Sequence, residues 1–211
     1  MTQAAVRRTR DPEAAVEDII AVARKEFAGR GLSGARVDEI AARTRTSKRM
    51  IYYYFGGKEG LYRAVLEDAY RRMRAVEAGL ELDGLPPLEA LRKLVAFTFD
   101  HQVSDPDFVR LVMNENIHRG VHLARSEKIQ GLNWPAIEAV RRICERGRIE
   151  GAFRDDLDPV DLHMSISALC FFNVANRHTF SLIFKRDMSS TEALAGRRRN
   201  IEEIVLRYVR A

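Results

Sequence analysis

The chain has 211 residues, of which 46% are hydrophobic and 31% charged, a composition typical of a globular protein with one sizeable core or a small domain joined to a larger one. It contains no run of about 18 apolar residues, and its basic N-terminus lacks the apolar stretch of a signal peptide, so we expect neither a membrane span nor secretion. The net charge of +5 lies entirely in residues 1–58, which hold 12 Lys and Arg against 7 Asp and Glu. A basic module on a neutral body favours a polyanion as the partner of the N-terminal part.

The two cysteines, Cys144 and Cys170, both lie in apolar helical patterns. Buried free thiols in a reducing compartment are the favoured interpretation, with a disulfide as the alternative. We therefore expect a cytoplasmic protein.

Helical periodicity extends through nearly the whole chain, and no segment alternates as a strand would. The first helix is predicted from Asp11-Pro12-Glu13 to Gly29-Arg30-Gly31, between an N-cap with a proline and a glycine stop. The later helices are predicted over residues 37–43, 47–55, 59–82, 87–103, 106–119, 133–151, 159–186 and 190–210, with Pro86-Pro87, Asp105-Pro106, Trp134-Pro135 and Asp158-Pro159 at the starts of four of them. The pattern indicates an all-α protein of about nine helices.

The two short helices have the dimensions of a helix-turn-helix. Val37, Ile40 and Ala41 on the first, with Ile51 and Phe55 on the second, predict a common core with Phe27. The opposite face of the second helix then presents an outward surface of cations, hydroxyls and rings, sized for a major groove. Its residues are Ser47, Lys48, Arg49, Tyr52 and either Tyr53 or Tyr54.

The run RVDEIAARTRTSKRMIYYYFGGKEGLY, preceded by AVARKEFAGRGLSG, resembles the DNA-binding domain of TetR/AcrR-type transcriptional regulators over residues 13–64. The shared features are an F-x-x-x-G element, I-A, S-K, Y-Y-Y-F and K-E-x-L, in that order. The resemblance implies a three-helix helix-turn-helix domain over residues 1–57 and a helical ligand-binding and dimerisation domain over residues 58–211. It also implies a DNA-binding regulator of transcription rather than an enzyme, without a cofactor.

The resemblance implies DNA-binding roles for particular positions. Thr46, Ser47, Lys48, Arg49, Tyr52, Tyr53 and Tyr54 would lie on or beside the recognition helix, and Lys58 would hold a phosphate. Arg36 stands where the family usually has Thr or Ser, so it offers a phosphate contact but no helix cap. Arg45 stands where the family favours Gly, which leaves two alternatives, a positive φ on a non-glycine residue or a slightly different turn. Arg7, Arg8 and Arg10 leave two alternatives, an arm in a minor groove or a basic tail without regular structure.

The second part of the chain predicts a partner and a ligand site. The segment SISALCFFNVANRHTFSLIF is apolar around most of its circumference, and Ile201, Ile204, Val205 and Tyr208 form a stripe on the last helix, so we expect a homodimer through residues of about 159–210. Such a dimer would read a palindromic operator in double-stranded DNA. The aromatic residues on the middle helices have two interpretations, plain core or the wall of a pocket, and polar residues in the same segments favour a pocket for a small organic effector. The candidate effector residues are Phe99, Met113, Asn116, Ile117, Trp134, Phe172, Asn173, Asn176 and Arg177.

Other interpretations remain open at this point. Glu115, His118 and His122 have spacing that would place three metal ligands on one helical face, but Gly120 interrupts that helix, so we expect no metal site. A ligand-released repressor is the favoured function. A transcriptional activator of the same family and an all-α ligand-binding or scaffold protein that does not bind DNA are the alternatives.

Overall fold

The computed structural model describes residues 11–211, so Arg7, Arg8 and Arg10 lie outside the described residues. Within this range the chain forms ten α-helices and a short 3-10 turn at Leu123–Arg125, with no β-sheet, which confirms the predicted all-α class. The helices are α1 (Pro12–Gly34), α2 (Val37–Thr44), α3 (Lys48–Phe55), α4 (Lys58–Ala78), α5 (Pro87–Ser104), α6 (Pro106–Ile117), α7 (Glu127–Ile149), α8 (Pro159–Ala175), α9 (Arg177–Ile183) and α10 (Thr191–Val209).

The chain divides into two compact units, one ending at Asp68 and one spanning Ala69–Ala211. Helix α4 therefore contributes its first half to the first unit and its second half to the second unit. None of the helices in the described range is both long and apolar enough to cross a membrane.

Side-chain caps explain where many of the helices begin. At each of six starts, a side-chain oxygen accepts a hydrogen bond from a backbone amide in the first turn, which satisfies a donor that the helix itself leaves free. The capping residues are Asp11, Ser47, Asp105, Ser126, Asp158 and Ser190. Three of these caps are followed by a proline at the first helical position, as the sequence predicted.

The predicted start of α7 at Trp134-Pro135 is wrong. The helix begins at Glu127, where Ser126 Oγ accepts from the amide of Ile129 at 3.4 Å, and Pro135 lies inside it. A proline at this position leaves the carbonyl four residues earlier without its helical donor. That carbonyl belongs to Gly131, which is exposed and can therefore be hydrated.

The single helix predicted over residues 159–186 is two helices. Helix α8 ends at Ala175, Asn176 leaves the helical region with φ −110° and ψ 0°, and α9 begins at Arg177. The amide of Asn176 still donates to the carbonyl of Phe172 at 3.0 Å, so the chain turns without breaking its hydrogen bonding at that point. The apolar pattern alone could not indicate this break because it continues through Asn176 without interruption.

Each unit has its own core. In the first unit Phe27, Ile40 and Ile51 are fully buried, and Tyr62 on α4 meets Phe27 edge to face with ring centroids 5.1 Å apart. In the second unit the core lies among α5, α7, α8 and α10. Its largest members include Leu91, Leu94, Phe99, Ile143, Leu162, Ile166, Ile201 and Val205.

Candidate nucleic-acid interface

Helix α3 is held with one face inward and one face outward. Ser47 Oγ accepts from the amide of Met50 at 3.2 Å, and Gly56 ends the helix in the left-handed conformation with φ 72°. Ile51 is fully buried against the first unit, and Phe55 is half-buried. The exposed side chains of α3 are directed away from the core, as the sequence predicted for Lys48, Arg49 and Tyr52.

The outward face of α3 is formed by Arg49, Met50, Tyr52 and Tyr53, all of them exposed. The exposed fraction is 46% for Tyr52 and 78% for Tyr53. Tyr54 is half-buried and meets the ring of Tyr53 edge to face at 5.4 Å. The structure thus resolves the choice between Tyr53 and Tyr54, since Tyr53 is the more accessible ring and Tyr54 supports it from the side.

The turn between α2 and α3 is closed by hydrogen bonds despite lacking a glycine. Thr44 is buried and its Oγ1 donates to the carbonyl of Ile40 at 2.9 Å, while the amide of Thr46 donates to the carbonyl of Ala41 at 3.2 Å. Arg45 has φ 52°, so of the two alternatives the positive φ is confirmed. A non-glycine residue in this region is uncommon, so the two threonine contacts help to maintain a backbone that Arg45 alone would disfavour.

Two of the predicted phosphate-binding lysines are engaged within the first unit. Lys48 Nζ lies 3.1 Å from Oδ1 and 3.2 Å from Oδ2 of Asp38 on α2. Lys58 Nζ donates to the carbonyl of Ser33 at 3.2 Å. Each ammonium group has three donors, so these contacts orient the lysines while leaving hydrogen-bonding capacity for a phosphate.

The start of α2 is organised by a residue that the sequence reasoning missed. Arg36 is exposed and supplies no side-chain cap to α2, as predicted. Its backbone amide donates to Oε1 of Glu26 at 3.3 Å, and the same carboxylate lies 3.4 Å from Arg30 and 3.6 Å from Arg43. The Glu26 side chain is only 3% exposed. The available signal was its position on the apolar stripe of α1, one residue before Phe27, where a glutamate needs polar partners.

Helices α3 and α4 approach each other closely at Gly60. A Cβ atom added to Gly60 would lie 1.8 Å from the carbonyl oxygen of Phe55, the last residue of α3. No side chain fits there unless the backbone moves. The glycine of the segment K-E-G-L is therefore required by the packing of the end of α3 against the start of α4.

Comparison with known proteins assigns this arrangement to a family. Residues 19–65 match the model of bacterial regulatory proteins of the tetR family, and residues 87–205 match the tetracyclin repressor-like C-terminal domain. The chain belongs to the TetR family.

Individual relatives agree with this assignment. The HTH-type transcriptional repressor NicS of Pseudomonas putida is 38% identical over 203 residues, which is 96% of this chain and 93% of that protein. The HTH-type transcriptional repressor SCO4008 of Streptomyces coelicolor is 33% identical, with 68% of this chain and 71% of that protein covered. Among solved structures, the transcriptional regulator SCO4942 of Streptomyces coelicolor has a TM-score of 0.68 and 27% identity, covering 92% of this chain and 97% of that one. This TetR-family chain is a DNA-binding regulator of transcription.

The candidate effector residues of this TetR-family chain differ widely in exposure. Phe99 and Asn173 are buried in the second unit, whereas Asn176 and Arg177 are half-buried. The Nδ2 atoms of Asn116 and Asn176 donate to backbone carbonyls one turn earlier in the chain. The other members, Met113, Asn116, Ile117, Trp134 and Phe172, are exposed. The nine residues therefore do not form one enclosed set, and their role in effector binding stays a prediction.

A half-buried polar cluster that the sequence reasoning missed lies on α4, α7 and α8. Arg74 Nε donates to Asn133 Oδ1 at 2.9 Å, and Arg74 also forms a short ion pair with Glu77 one turn later on α4. Burial lowers the pKa of His163, and the positive charge of Arg74 lowers it further. The contacts of Arg74 tie α4 to α7.

Glu115 caps the segment between α6 and α7. Its Oε1 accepts from the amides of His122 and Leu123 at 2.8 Å each, and its Oε2 lies 3.2 Å from His122 Nδ1. His118 meets His122 with ring centroids 6.2 Å apart. Within residues 11–211 no three His, Cys, Asp or Glu side chains are grouped as a metal site would require. Glu115 and His122 are thus used in organising this loop.

Helices α8 and α10 present an apolar outer face. A groove of about 320 Å³ lies between them. It is lined by Leu162, Ser165, Ala168, Leu169, Ile204, Val205 and Tyr208. Val160 and Met164 on α8 and Ile204 on α10 are exposed along this face. An exposed apolar surface of this kind commonly marks a protein interface.

Proposed function

We propose that the chain is a repressor that binds a palindromic operator as a homodimer and is released by a small organic effector. The observation that supports the DNA interface most directly is the outward face of α3, where Arg49, Tyr52 and Tyr53 are exposed together on a helix that Ser47 caps. Arginine reads guanine edges, and tyrosine offers a hydroxyl to phosphate and a ring to thymine methyl groups. The names of NicS and SCO4008 as transcriptional repressors favour repression over activation.

We propose one domain for DNA binding and one for effector binding and dimerisation. Residues 1–57 would bind DNA, and residues 58–211 would bind the effector and dimerise, with α4 connecting the two functions through the chain. Family membership speaks against the alternative of a scaffold protein that does not bind DNA. We also propose that the protein is located in the cytoplasm, where operator DNA is found.

The proposed dimer uses the face of α8 and α10. Two copies that meet through this apolar face would bury Ile204, Tyr208 and Met164 of each copy in a four-helix bundle. In such a dimer, two recognition helices about 34–36 Å apart would occupy successive major grooves. The effector would act by binding more tightly to a form in which this spacing no longer fits the DNA.

The test is fluorescence anisotropy of the purified protein with its own upstream intergenic DNA, over a salt series. Tight binding that prefers this sequence over random DNA, with affinity falling steeply as salt rises, is the expected result. We expect Tyr52→Ala and Lys48→Ala to weaken this binding while leaving the protein folded and dimeric. Lys58→Ala should weaken binding to all sequences alike and flatten the salt slope by about 0.9 for one lost phosphate contact.

A matched control removes a different exposed cation. Arg148→Ala deletes an exposed arginine in the last turn of α7, so it should leave the affinity for the operator unchanged. Equal losses in Tyr52→Ala and Arg148→Ala would contradict the assignment of the outward face of α3. A reporter placed behind the same DNA decides between repression and activation, because deleting a repressor raises expression and deleting an activator lowers it.

A further inference from the structure

Two buried carboxamides in the second unit have polar atoms without partners. Gln102 near the end of α5 is 3% exposed, and Asn173 near the end of α8 is 4% exposed. Gln102 Oε1 and Asn173 Nδ2 have no hydrogen-bond partner within the described part of the chain. We refer to these two residues as the amide pair. One lacks a donor and the other lacks an acceptor.

Contacts near the starts of α5 and α8 show that both helices begin at the same end of the unit. Arg146 on α7 donates to the carbonyls of Leu82 and Leu85, just before α5, at 3.1 and 2.9 Å. Cys144, two residues earlier on α7, is near Asp158, the N-cap of α8, whose charge contributes to the raised pKa of the thiol after the larger effect of burial. The starts of α5 and α8 therefore both lie near the last turns of α7.

Contacts with α10 show that the far ends of the two helices also lie together. Arg198 Nε is 3.0 Å from Asp100 Oδ1 on α5, and the neighbouring Arg197 Nη2 donates to the carbonyl of Leu169 on α8 at 3.5 Å. Helices α5 and α8 thus run in the same direction. Gln102 lies two residues beyond Asp100, about 3 Å further along the axis of α5. Asn173 lies four residues beyond Leu169, about 6 Å further along the axis of α8. The amide pair is placed at one end of the packed helices.

Two buried polar atoms without hydrogen-bond partners cost folding free energy in a protein core unless another molecule supplies the missing hydrogen bonds. A buried amide without its hydrogen bond loses stability relative to an apolar side chain of the same shape. Thr98, one turn before Gln102, shows the usual solution, since its Oγ1 donates to the carbonyl of Leu94 at 2.8 Å. Frustrated polar groups of this kind are retained where they serve a function.

The buried charged side chains of the second unit already have partners, and this limits the charge that a ligand of the amide pair can carry. Arg74 is paired with Glu77 and Asn133, and Glu115 is paired with His122. A charged ligand at the amide pair would bring a buried charge to two uncharged groups, which is unfavourable. An uncharged ligand with both a donor and an acceptor matches both atoms.

We propose that the amide pair anchors the effector, and that the effector is an uncharged small molecule with a hydrogen-bond donor for Gln102 and an acceptor for Asn173. Amides, lactams and related compounds on a flat apolar body have this chemistry. Phe99, which is fully buried on α5 one turn before Gln102, offers an aromatic surface for that body. The inference rests on the proposed function, in which the second unit binds the effector.

The variants that test the proposal are Gln102→Met and Asn173→Leu, which keep the side-chain volume and remove the unpartnered polar atoms. Without ligand, both variants should unfold at a higher temperature than the wild type. Thr98→Val is the matched control, because it removes a satisfied hydrogen bond on α5 and should lower the unfolding temperature instead.

The probes are 2-pyridone and benzamide, compared with benzoate and toluene. We expect 2-pyridone or benzamide to raise the unfolding temperature of the wild type and of Thr98→Val more than benzoate or toluene does. The same probe should bind Gln102→Met and Asn173→Leu about tenfold more weakly or worse, because each variant lacks one hydrogen bond. An equal response to toluene, an undiminished response in both variants, or no response to either amide probe would overturn the proposal.

The two proposals fail in different measurements. If the wild type does not bind its upstream DNA in preference to random DNA, the proposed function is in error, and the thermal response still reports on the amide pair. If the operator is bound and the thermal response does not depend on the amide pair, only the effector assignment is wrong.

Discussion

Asp38 on α2 and Lys48 on α3 form an ion pair across the helix-turn-helix, with Lys48 Nζ 3.1 Å from Asp38 Oδ1. The pair places an acidic side chain next to a cation that we expect to contact a phosphate, so its negative charge weakens that contact. Both side chains are more than half exposed, so the pair itself contributes little to folding stability. Its consequence is therefore expected in DNA binding.

We predict that Asp38→Asn increases affinity for all DNA sequences, because it removes a negative charge beside Lys48, and steepens the salt dependence by less than about 0.9, the change expected for one whole phosphate contact. Anisotropy titrations at several salt concentrations measure both quantities. In a Lys48→Ala background the same substitution should have a much smaller effect. An effect of full size in that background would mean that Asp38 acts by general repulsion of DNA rather than through Lys48.

Glu26→Ala is expected to destabilise the first unit by about 1–3 kcal/mol, because it leaves the amide of Arg36 without its acceptor and removes a buried anion from between Arg30 and Arg43. Urea unfolding monitored by circular dichroism measures the loss. Glu39→Ala, which removes an exposed glutamate from α2, is the control and should change stability by less than about 0.5 kcal/mol. Equal effects of the two substitutions would refute the role given to Glu26.

Local signals predicted much of the fold. Asp11-Pro12, Asp105-Pro106 and Asp158-Pro159 mark helix starts because the cap and the proline act within one turn. Trp134-Pro135 has the proline without a capping residue before it, and the preceding turns are stabilised by a cap at Ser126 instead. The same dipeptide logic therefore misplaced one start, because a proline is compatible with a helix interior when its missing hydrogen bond falls on an exposed carbonyl.

The candidate site was predicted where it depends on one helix and missed where it depends on several. The exposure of Tyr52 and Tyr53 follows from the period of α3 once Ile51 is inside. The contact of Asp38 with Lys48 joins α2 to α3, and the contact of Glu26 with Arg36 joins α1 to the N-cap of α2, each between residues ten positions apart. Their geometry is set by the packing of α1, α2 and α3, which no local pattern specifies.

Replacement by alanine should have opposite effects on stability at Gly60 and at Gly29. Gly60→Ala should abolish operator binding and lower stability, because its Cβ would lie 1.8 Å from the carbonyl oxygen of Phe55. Gly29→Ala meets nothing within 4 Å inside α1 and should stabilise the protein by about 0.4–1 kcal/mol. Thermal unfolding and anisotropy compare the two variants, and normal operator binding by Gly60→Ala would show that α3 and α4 do not need this close approach.

Ile204→Glu is predicted to turn the proposed dimer into a monomer, because it places a charge in the apolar face of α8 and α10. Light scattering measures the mass, and operator affinity should fall with it because a monomer covers only one half-site. Ile149→Glu changes another exposed isoleucine, at the end of α7, and should leave the dimer intact. Dimers of unchanged stability in Ile204→Glu would place the interface elsewhere.

Both thiols are free and buried, and burial is the main cause that raises the pKa of Cys144 to about 11 and that of Cys170 to about 12, from an ordinary value of 9.0. Because the folded-state pKa values lie above those of the unfolded chain, the protonated thiols contribute stability that is complete below about pH 9 and is lost as pH rises through 11 and 12. We predict that the free energy of unfolding falls above pH 9, and that the double variant Cys144→Val, Cys170→Val has a shallower fall.

Thiol reagents at pH 8 should modify the native wild type far more slowly than the protein in urea. Fast modification of the native protein, or identical pH profiles for wild type and double variant, would show that the thiols are accessible or do not contribute to the alkaline loss of stability.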